Sequence, residues 1–406
     1  MDLHSGTPFW PLRDGLLATY PALDRPVETT VAIMGAGITG ALVAHHLAQA
    51  GVDCVVLDRR DAVFGSTAAS TALLQYEIDV PLRRLAQLVG EAHAARSYRL
   101  CHDAIDKLER LNLELGQDLE FKRVRSLQGA SRQAHVPGLR EELAQRTRLG
   151  FAVDFWDTRR LQSQCSLPFP AALISHQAAQ VDPYRLAAAL LASAAARGTR
   201  IYDRTTVARW KPTRLGIELL TSEGHRIRAR HLVNATGYET APWLPDNLVK
   251  MHSTYALVTE PVTQLPGWPD GHLVWETARP YTYMRRAAGD RLLIGGGDEP
   301  FLDVRRRDSL LPAKTTALGR RLRRLLPDAR CVTGYSWCGA FAETADGLPF
   351  IGRQEPGTPV YHVLGYGGNG ITFSLTAAEI IRDLVLQGSS PDEDLFRFDR
   401  PSAKFR

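Results

Sequence analysis

Cysteine is scarce and unpatterned in this chain. The five cysteines, Cys54, Cys101, Cys165, Cys331 and Cys338, form no CxxC pair and no Cys/His cluster, which excludes the common zinc modules and a disulfide framework. An odd count without a framework points to a reducing compartment, so a cytoplasmic location is expected. Long apolar runs are missing too. The longest, Leu186 to Ala196, is interrupted by Ser193 and is too short to span a bilayer. Met1 to Trp10 has no basic segment followed by an apolar one, so neither a signal peptide nor a membrane span is expected. Positive charge is dispersed. The net charge is +5, and the densest basic cluster, Arg320, Arg321, Arg323 and Arg324, interleaves with Leu318, Leu322, Leu325 and Leu326. Helical spacing makes that a solvated outer face over an apolar inner one, so no nucleic-acid partner is expected. There is no Ser/His/Asp constellation and no metal-ligand spacing, so no metal is expected.

What is present is globular: 44% hydrophobic and 23% charged residues over a length of 406. That length exceeds the ~250–300 residues at which one core stops growing, so two domains are expected. Residues 1–28, with Trp10, Pro11, Tyr20, Pro21 and Pro26, read as an extended arm packed by its aromatics. Val31 to Met34 is a short apolar run suited to a buried parallel strand. A helical pattern follows from Ile38 to Gln49, stopped at Gly51, and Cys54 to Leu57 is a second strand. Residues 81–115 are strongly helical, whereas 117–180 show no clear pattern. Asp182-Pro183 is a helix start, N-cap followed by Pro. Strand-like runs come at 201–202, 207–210, 216–221, 231–233, 254–259, 281–285, 291–295 and 361–364, and a last helix spans Ile371 to Gln387.

Between the first strand and helix stands Gly35-Ala36-Gly37-Ile38-Thr39-Gly40. The spacing GxGxxG alone is weak, but here it follows a strand, opens a helix and is followed by Asp58 at the end of the next strand. Gly35 permits the tight turn, Gly37 lets backbone approach a pyrophosphate, and Gly40 allows close helix-to-strand packing. The helix N-terminus offers free N–H groups to phosphates. Asp58 suits ribose hydroxyls and would repel a 2′-phosphate. FAD and NAD remain open on this unit alone. Ala235-Thr236-Gly237, after an apolar strand and Asn234, adds a small-residue turn beside the same sheet.

Four stretches together resemble the glycine/D-amino-acid oxidase (DAO) family of FAD enzymes: Val31 to Gly40, Asn234 to Gly237, Trp337 to Gly352 with its Asp346-Gly347-Leu348-Pro349 turn, and Gly365 to Thr372. The aromatic arm is similar to the branch near gamma-glutamylputrescine oxidase. The resemblance implies an α/β (α+β overall) architecture, a Rossmann-type FAD-binding domain with an inserted substrate domain built on an antiparallel sheet. The expected division is an arm at 1–28, FAD-binding parts at 29–80, 180–245 and 335–406, and substrate parts at 81–179 and 246–334. Carried over, Arg59 flanks the adenosine with Asp58. Ser66, Thr67, Ser70 and Thr71 line the pyrophosphate and flavin, Val207 contacts adenine by its backbone, and Gly367, Gly368, Asn369, Gly370, Ile371 and Thr372 edge the flavin pyrimidine. Two departures matter. Phe341 stands where many relatives carry a carboxylate-binding arginine, so a simple amino acid is disfavoured as substrate. Ala68-Ala69 follows Gly65-Ser66-Thr67 where some relatives attach FAD through histidine, so non-covalent FAD is expected; Cys338 lies one residue from a cysteine used by others.

The expected chemistry is oxidation of a carbon–nitrogen bond, with hydride passing to the flavin and with O₂ or another acceptor reoxidising it. Gln75 can orient the small-molecule amine substrate and Glu77 can hold its ammonium. Tyr283 and Arg285, two apart on one strand face, can wall the pocket and bind a remote carboxylate. His252 and Tyr255 are weaker candidates. The alternatives are a dehydrogenase of a hydroxy acid or polyol phosphate, and a flavin-binding subunit without its own turnover.

Overall fold

Parallel strands joined through helices need apolar residues on both faces, and the runs that supply them build the smaller of two sheets. In this computed structural model, which describes residues 2–240, 248–262, 264–268 and 271–405, that sheet is ordered Phe350–Gly352, Val360–Leu364, Arg226–Asn234, Val27–Met34, Cys54–Leu57, Arg200–Tyr202. All neighbours are parallel except the first pair. The antiparallel strands Val207–Thr213 and Gly216–Thr221 hang from Arg226–Asn234. Helices Ile38–Gln49, Pro183–Ala196 and Gly370–Gln387 cover one face and share its core through Leu42, Leu190 and Ile381. The start of Pro183–Ala196 is fixed as its sequence implies, with the Asp182 carboxylate accepting from the N–H groups of Tyr184 and Arg185.

The larger sheet has ten strands. Its order is His4–Gly6, Thr333–Glu343, Lys250–Thr259, Arg291–Glu299, Tyr283–Ala287, His272–Glu276, Lys122–Gly129, Ala171–Gln180, Leu73–Gln75, with Val153–Asp157 also on Ala171–Gln180. It is antiparallel apart from the His272–Glu276 and Lys122–Gly129 pair. Helix Val304–Leu325 covers its outer face, burying Leu318, Leu322 and Leu325 while Arg320, Arg323 and Arg324 stay exposed. No helix of the described residues is long and apolar enough to cross a membrane.

Two expectations need correction. The first 28 residues are not simply extended: Phe9–Asp14 is helical, and His4–Gly6 is the edge strand beside Thr333–Glu343. Residues 335–343, assigned to the nucleotide-binding part, belong to the larger sheet, because their alternating side chains face two cores rather than one. The unpatterned stretch 117–180 also builds that sheet; its strands are short or bulged and its helices are brief. The boundary expected at 245 lies outside the described residues.

Candidate functional site

A cavity of about 450 Å³ runs between the two sheets. Its floor is the turn after Val27–Met34, and the three glycines there have separate reasons. Gly35 has φ +105, and a Cβ on it would lie 2.4 Å from the Ala235 carbonyl oxygen. A Cβ on Gly40 would lie 1.8 Å from the Gly35 carbonyl oxygen, so only glycine lets the helix start this close to the strand. Gly37 faces the cavity, and a Cβ on it would crowd Thr67 Oγ1 at 3.0 Å. Gly35, Ile38 and Thr39 also line the cavity, whereas Gly40 lies beneath it.

At one end of the cavity the Asp58 carboxylate accepts from Ala36 N at 2.7 Å and Arg60 N at 2.8 Å. Burial pushes its carboxyl up, against the pull of those two N–H groups. Each carboxylate oxygen keeps a second lone pair for a ribose hydroxyl. Arg59 and Arg60 both pair with Glu239, and these three residues and Val207 line the same cavity. Ala235, Thr236 and Gly237 close the wall between this end and the glycine turn.

The loop Ser66 to Thr71 crosses the cavity and is held by three successive carbonyls. Trp337 Nε1 donates to Ala69 O at 2.9 Å, Trp10 Nε1 to Ser70 O at 2.7 Å, and Arg285 Nε to Thr71 O at 2.7 Å. The loop's Ser66, Thr67, Ser70 and Thr71 all line the cavity, and Thr67 Oγ1 accepts from Ile38 N at 2.9 Å. Cys338 lies on the other strand face from Trp337, near Asp308 Oδ1 at 3.3 Å, and burial pushes its thiol up to about 11. A protonated thiol facing away from the cavity is no tether for a flavin.

Across from that loop, helix Gly370–Gln387 begins with no side-chain cap, and Gly370 and Ile371 line the cavity. Its first N–H groups therefore point partial positive charge at whatever fills the space. Gly367 and Gly368 line it as well. The Gly368 N–H is already taken, donating to Asp79 Oδ2 at 2.7 Å, while Tyr281 Oη donates to Asp79 Oδ1 at 2.9 Å. Asn369 and Thr372 do not edge the cavity as expected. Asn369 Nδ2 donates to the carbonyls of Gln75 and Glu77, both at 3.0 Å, and buried Thr372 donates from Oγ1 to Asn369 O at 3.0 Å. These two residues brace the loop from behind.

The end of the cavity beyond the glycine loop is aromatic. Tyr238, Tyr281, Tyr283, Phe341 and Tyr366 line it with Gln75, Thr254 and Asp298. Gln75 is fixed through Nε2, which donates to Ser126 Oγ at 2.8 Å. Phe341 stacks on His252, ring centres 5.2 Å apart, and His252 pairs with Glu343 at 3.2 Å behind it. Two expected substrate ligands are elsewhere. Glu77 is buried away from the cavity, its Oε1 accepting from Ser175 Oγ at 2.5 Å and lying 3.5 Å from buried Arg146. Alternation explains it: Gln75 faces the cavity and Tyr76 the core, and the chain turns before Glu77. Arg285 shares a face with Tyr283, but its guanidinium is spent on the carbonyls of Thr71 and Val181 and lies 5.2 Å over the Trp10 ring. It positions the loop and does not line the cavity. Asp79, Asp298, Tyr238, Tyr281 and Trp337 were missed by sequence reasoning; the run Gly295-Gly296-Gly297 before Asp298 is the one local signal of an irregular strand. Among the described residues no group of three or more His, Cys, Asp or Glu is placed to hold a metal.

These features fit a flavin dinucleotide: a glycine floor that a Cβ would fill, a carboxylate at the ribose end and an uncapped helix end facing the cavity. Comparison with known proteins agrees. The DAO family profile, described as FAD dependent oxidoreductase, matches residues 30–384. YhfW of Bacillus subtilis (strain 168), named for a Rieske 2Fe-2S iron-sulfur protein, is 25% identical over 94% of this chain and 73% of its own length. Gamma-glutamylputrescine oxidoreductase of Escherichia coli (strain K12) is 24% identical over 93% of this chain and 88% of that protein. The crystal structure of glycine oxidase from Geobacillus kaustophilus superposes with a TM-score of 0.76 at 21% identity, covering 94% of this chain and 99% of that one. At that identity the likeness shows the fold.

Proposed function

The chain belongs to the DAO family of FAD dependent oxidoreductases, and from that premise we propose that it oxidises a carbon–nitrogen bond of an amine. The observation that carries this reading is the make-up of the aromatic end of the cavity. Its described lining has neither lysine nor arginine; Arg59 and Arg60 are at the Asp58 end. A phosphate, or a carboxylate on the reacting carbon, would be left there without a cationic partner, at a cost of about 1.5–3 kcal/mol in lost charge-assisted hydrogen bonding. An amine needs no such partner. The name of the relative gamma-glutamylputrescine oxidoreductase points the same way.

Bound non-covalently, FAD would supply the two-electron acceptor that no side chain provides. The residues that would hold it are Gly35, Gly37, Ile38, Thr39, Asp58, Arg59, Ser66, Thr67, Val207 and Thr236, with Gly370 and Ile371 at its pyrimidine edge. Tyr281, Tyr283 and Phe341 form walls that orient the substrate and exclude water from the reacting carbon. Gln75, anchored by Ser126, offers one further polar contact.

The test is an anaerobic screen in which flavin absorbance is followed with amines, amino acids, hydroxy acids and polyol phosphates. Amines should bleach the flavin fastest, and glycine or D-alanine should trail them by roughly 10- to 150-fold in kcat/KM. Bleaching by a hydroxy acid or a polyol phosphate with none by amines would overturn the reading. Oxygen uptake against uptake by an artificial carrier then identifies the second electron acceptor.

A further inference from the structure

Strand Arg291–Glu299 runs antiparallel to Lys250–Thr259, and its alternation breaks near its end. Tyr255 pairs with Gly296 but Ser253 with Glu299, so the first strand carries one extra residue between these pairs. An extra residue reverses the facing of everything beyond it. Before it, Leu292 and Ile294 point into the apolar layer shared with Leu318 and Leu322 of helix Val304–Leu325. In unbroken alternation Asp298 would continue that series and meet the helix. Instead Glu299 takes the helix-facing place, accepting from Lys314 Nζ at 2.5 Å, and Asp298 turns to the opposite face and lines the cavity. Glycine makes the bulge possible: φ is +131 at Gly296 and +70 at Gly297.

Asp298 is thus delivered among aromatic faces, beside Tyr281, Tyr283 and Phe341. Its Oδ1 is buried with no hydrogen-bond partner among the described residues. A buried carboxylate oxygen without a donor is costly, and a cation that donates to it removes the cost. The surrounding rings add attraction for the same cation. We infer that Asp298 receives the substrate's ammonium group and takes its proton, and that the substrate is an alkylamine with no carboxylate on the reacting carbon. This rests on the amine-oxidation reading above. In the step, R–CH₂–NH₃⁺ passes one N–H proton to the Asp298 carboxylate, which frees the nitrogen lone pair. The carbon-bound hydrogen then leaves as hydride with its electron pair to FAD, the family's oxidant, and the lone pair closes the C=N bond of the iminium product.

The experiment uses the FAD-loaded enzyme and two probes of one shape and opposite charge. These are tert-butylammonium, which has no hydrogen on the carbon bearing nitrogen and so cannot be oxidised, and pivalate. Binding is read from the perturbation of the visible flavin spectrum, without turnover. Wild type should bind tert-butylammonium at least about 10-fold more tightly than pivalate, and Asp298→Asn should lose roughly 10-fold or more in affinity for the cation while keeping its FAD. Tighter binding of pivalate by wild type overturns the inference, as does unchanged affinity for the cation in Asp298→Asn. If Asp298→Asn does not retain FAD, the wild-type comparison of the two probes decides. Bleaching is scored on the same samples with oxidisable amines: its absence sinks amine oxidation, whereas the role of Asp298 in binding stands or falls on the probe curves.

Discussion

Gly37 and Thr67 face each other across the turn that would carry the pyrophosphate, and a single methyl group is enough to crowd them. Gly37→Val should therefore give a chain that folds but emerges colourless from gel filtration. Stoichiometric flavin absorbance in that variant would show that the turn does not hold the dinucleotide. Asp298 gives a pH dependence. Burial pushes its carboxyl up to about 6, Thr254 pulls it down, and Glu343 and Asp79 add like charge. His252, behind Phe341, has its pKa raised by its ion pair to Glu343, while burial pushes the hydroxyls of Tyr281 and Tyr283 up, so both stay neutral. Affinity for an ammonium should be full above that value and fall as pH drops through it, because protonation removes the negative charge. The bound cation favours the carboxylate, so the fall comes at lower pH in the complex than in the free enzyme. Binding of tert-butylammonium across pH should show the fall in wild type and none in Asp298→Asn, which keeps His252 and Glu343. Residues in the glycine turn were legible in the sequence because their spacing is a local requirement of the backbone. Glu77 and Arg285 misled because charge marks a residue as special without saying what it faces. Both are used inside the protein, one on Ser175 and Arg146, the other on backbone carbonyls.

Helix Gly370–Gln387 is the element whose position bears most directly on flavin electronics. Its open N-terminal turn faces the cavity, and a helix end contributes typically ~0.3–1 kcal/mol and up to ~2 when partly buried. Negative charge on the reduced flavin should be favoured, with its N1 pKa lowered by about one unit or more. A pH titration of the reduced spectrum measures this; a value equal to that of free reduced flavin would mean the helix end points elsewhere. The loop before the helix acts differently from what its glycines alone imply. Since the Gly368 N–H is bonded to Asp79, Gly368→Pro and Asp79→Ala should both weaken FAD binding by about 10-fold or more, as loss of one hydrogen bond to a charged group requires. Titration of the apoprotein with FAD checks it, and wild-type affinity in both variants would deny the clamp a role. The helix bounds and the paired βαβ strands were readable from periodicity. The facing of Asp298 was not, because one inserted residue inverts a pattern of period two without changing its composition.

At the scale of the whole molecule, the two sheets meet across a cavity that neither could close alone, and the arm before the first βαβ strand helps to close it. Phe9 and Trp10 are almost fully buried, and Trp10 joins Arg285 and Trp337 in holding the loop from Ala69 to Thr71. Trp10→Ala should lower stability by about 3–5 kcal/mol and release FAD at a lower temperature. Thermal denaturation followed by flavin fluorescence reads both, and coincident wild-type and variant curves would count against the arm. Aromatic content marked the arm as packed, but its partners lie far along the chain and no local pattern names them. That distance sets an order of events during synthesis. Ser5 and Cys338 meet across a sequence separation of 333 residues, so the arm is made long before the strand it pairs with. Until Arg285 and its strand are made, Trp10 lacks one of the groups that cover it, and its ring is a surface for chaperones to shield. A polypeptide released before Trp337 is made lacks one of the flavin loop's three carbonyl holds, and with it the cavity-lining residues Gly367, Gly368, Gly370 and Ile371. Cofactor capture thereby depends on residues made long after the glycine turn, and a product cut short before them should hold flavin weakly.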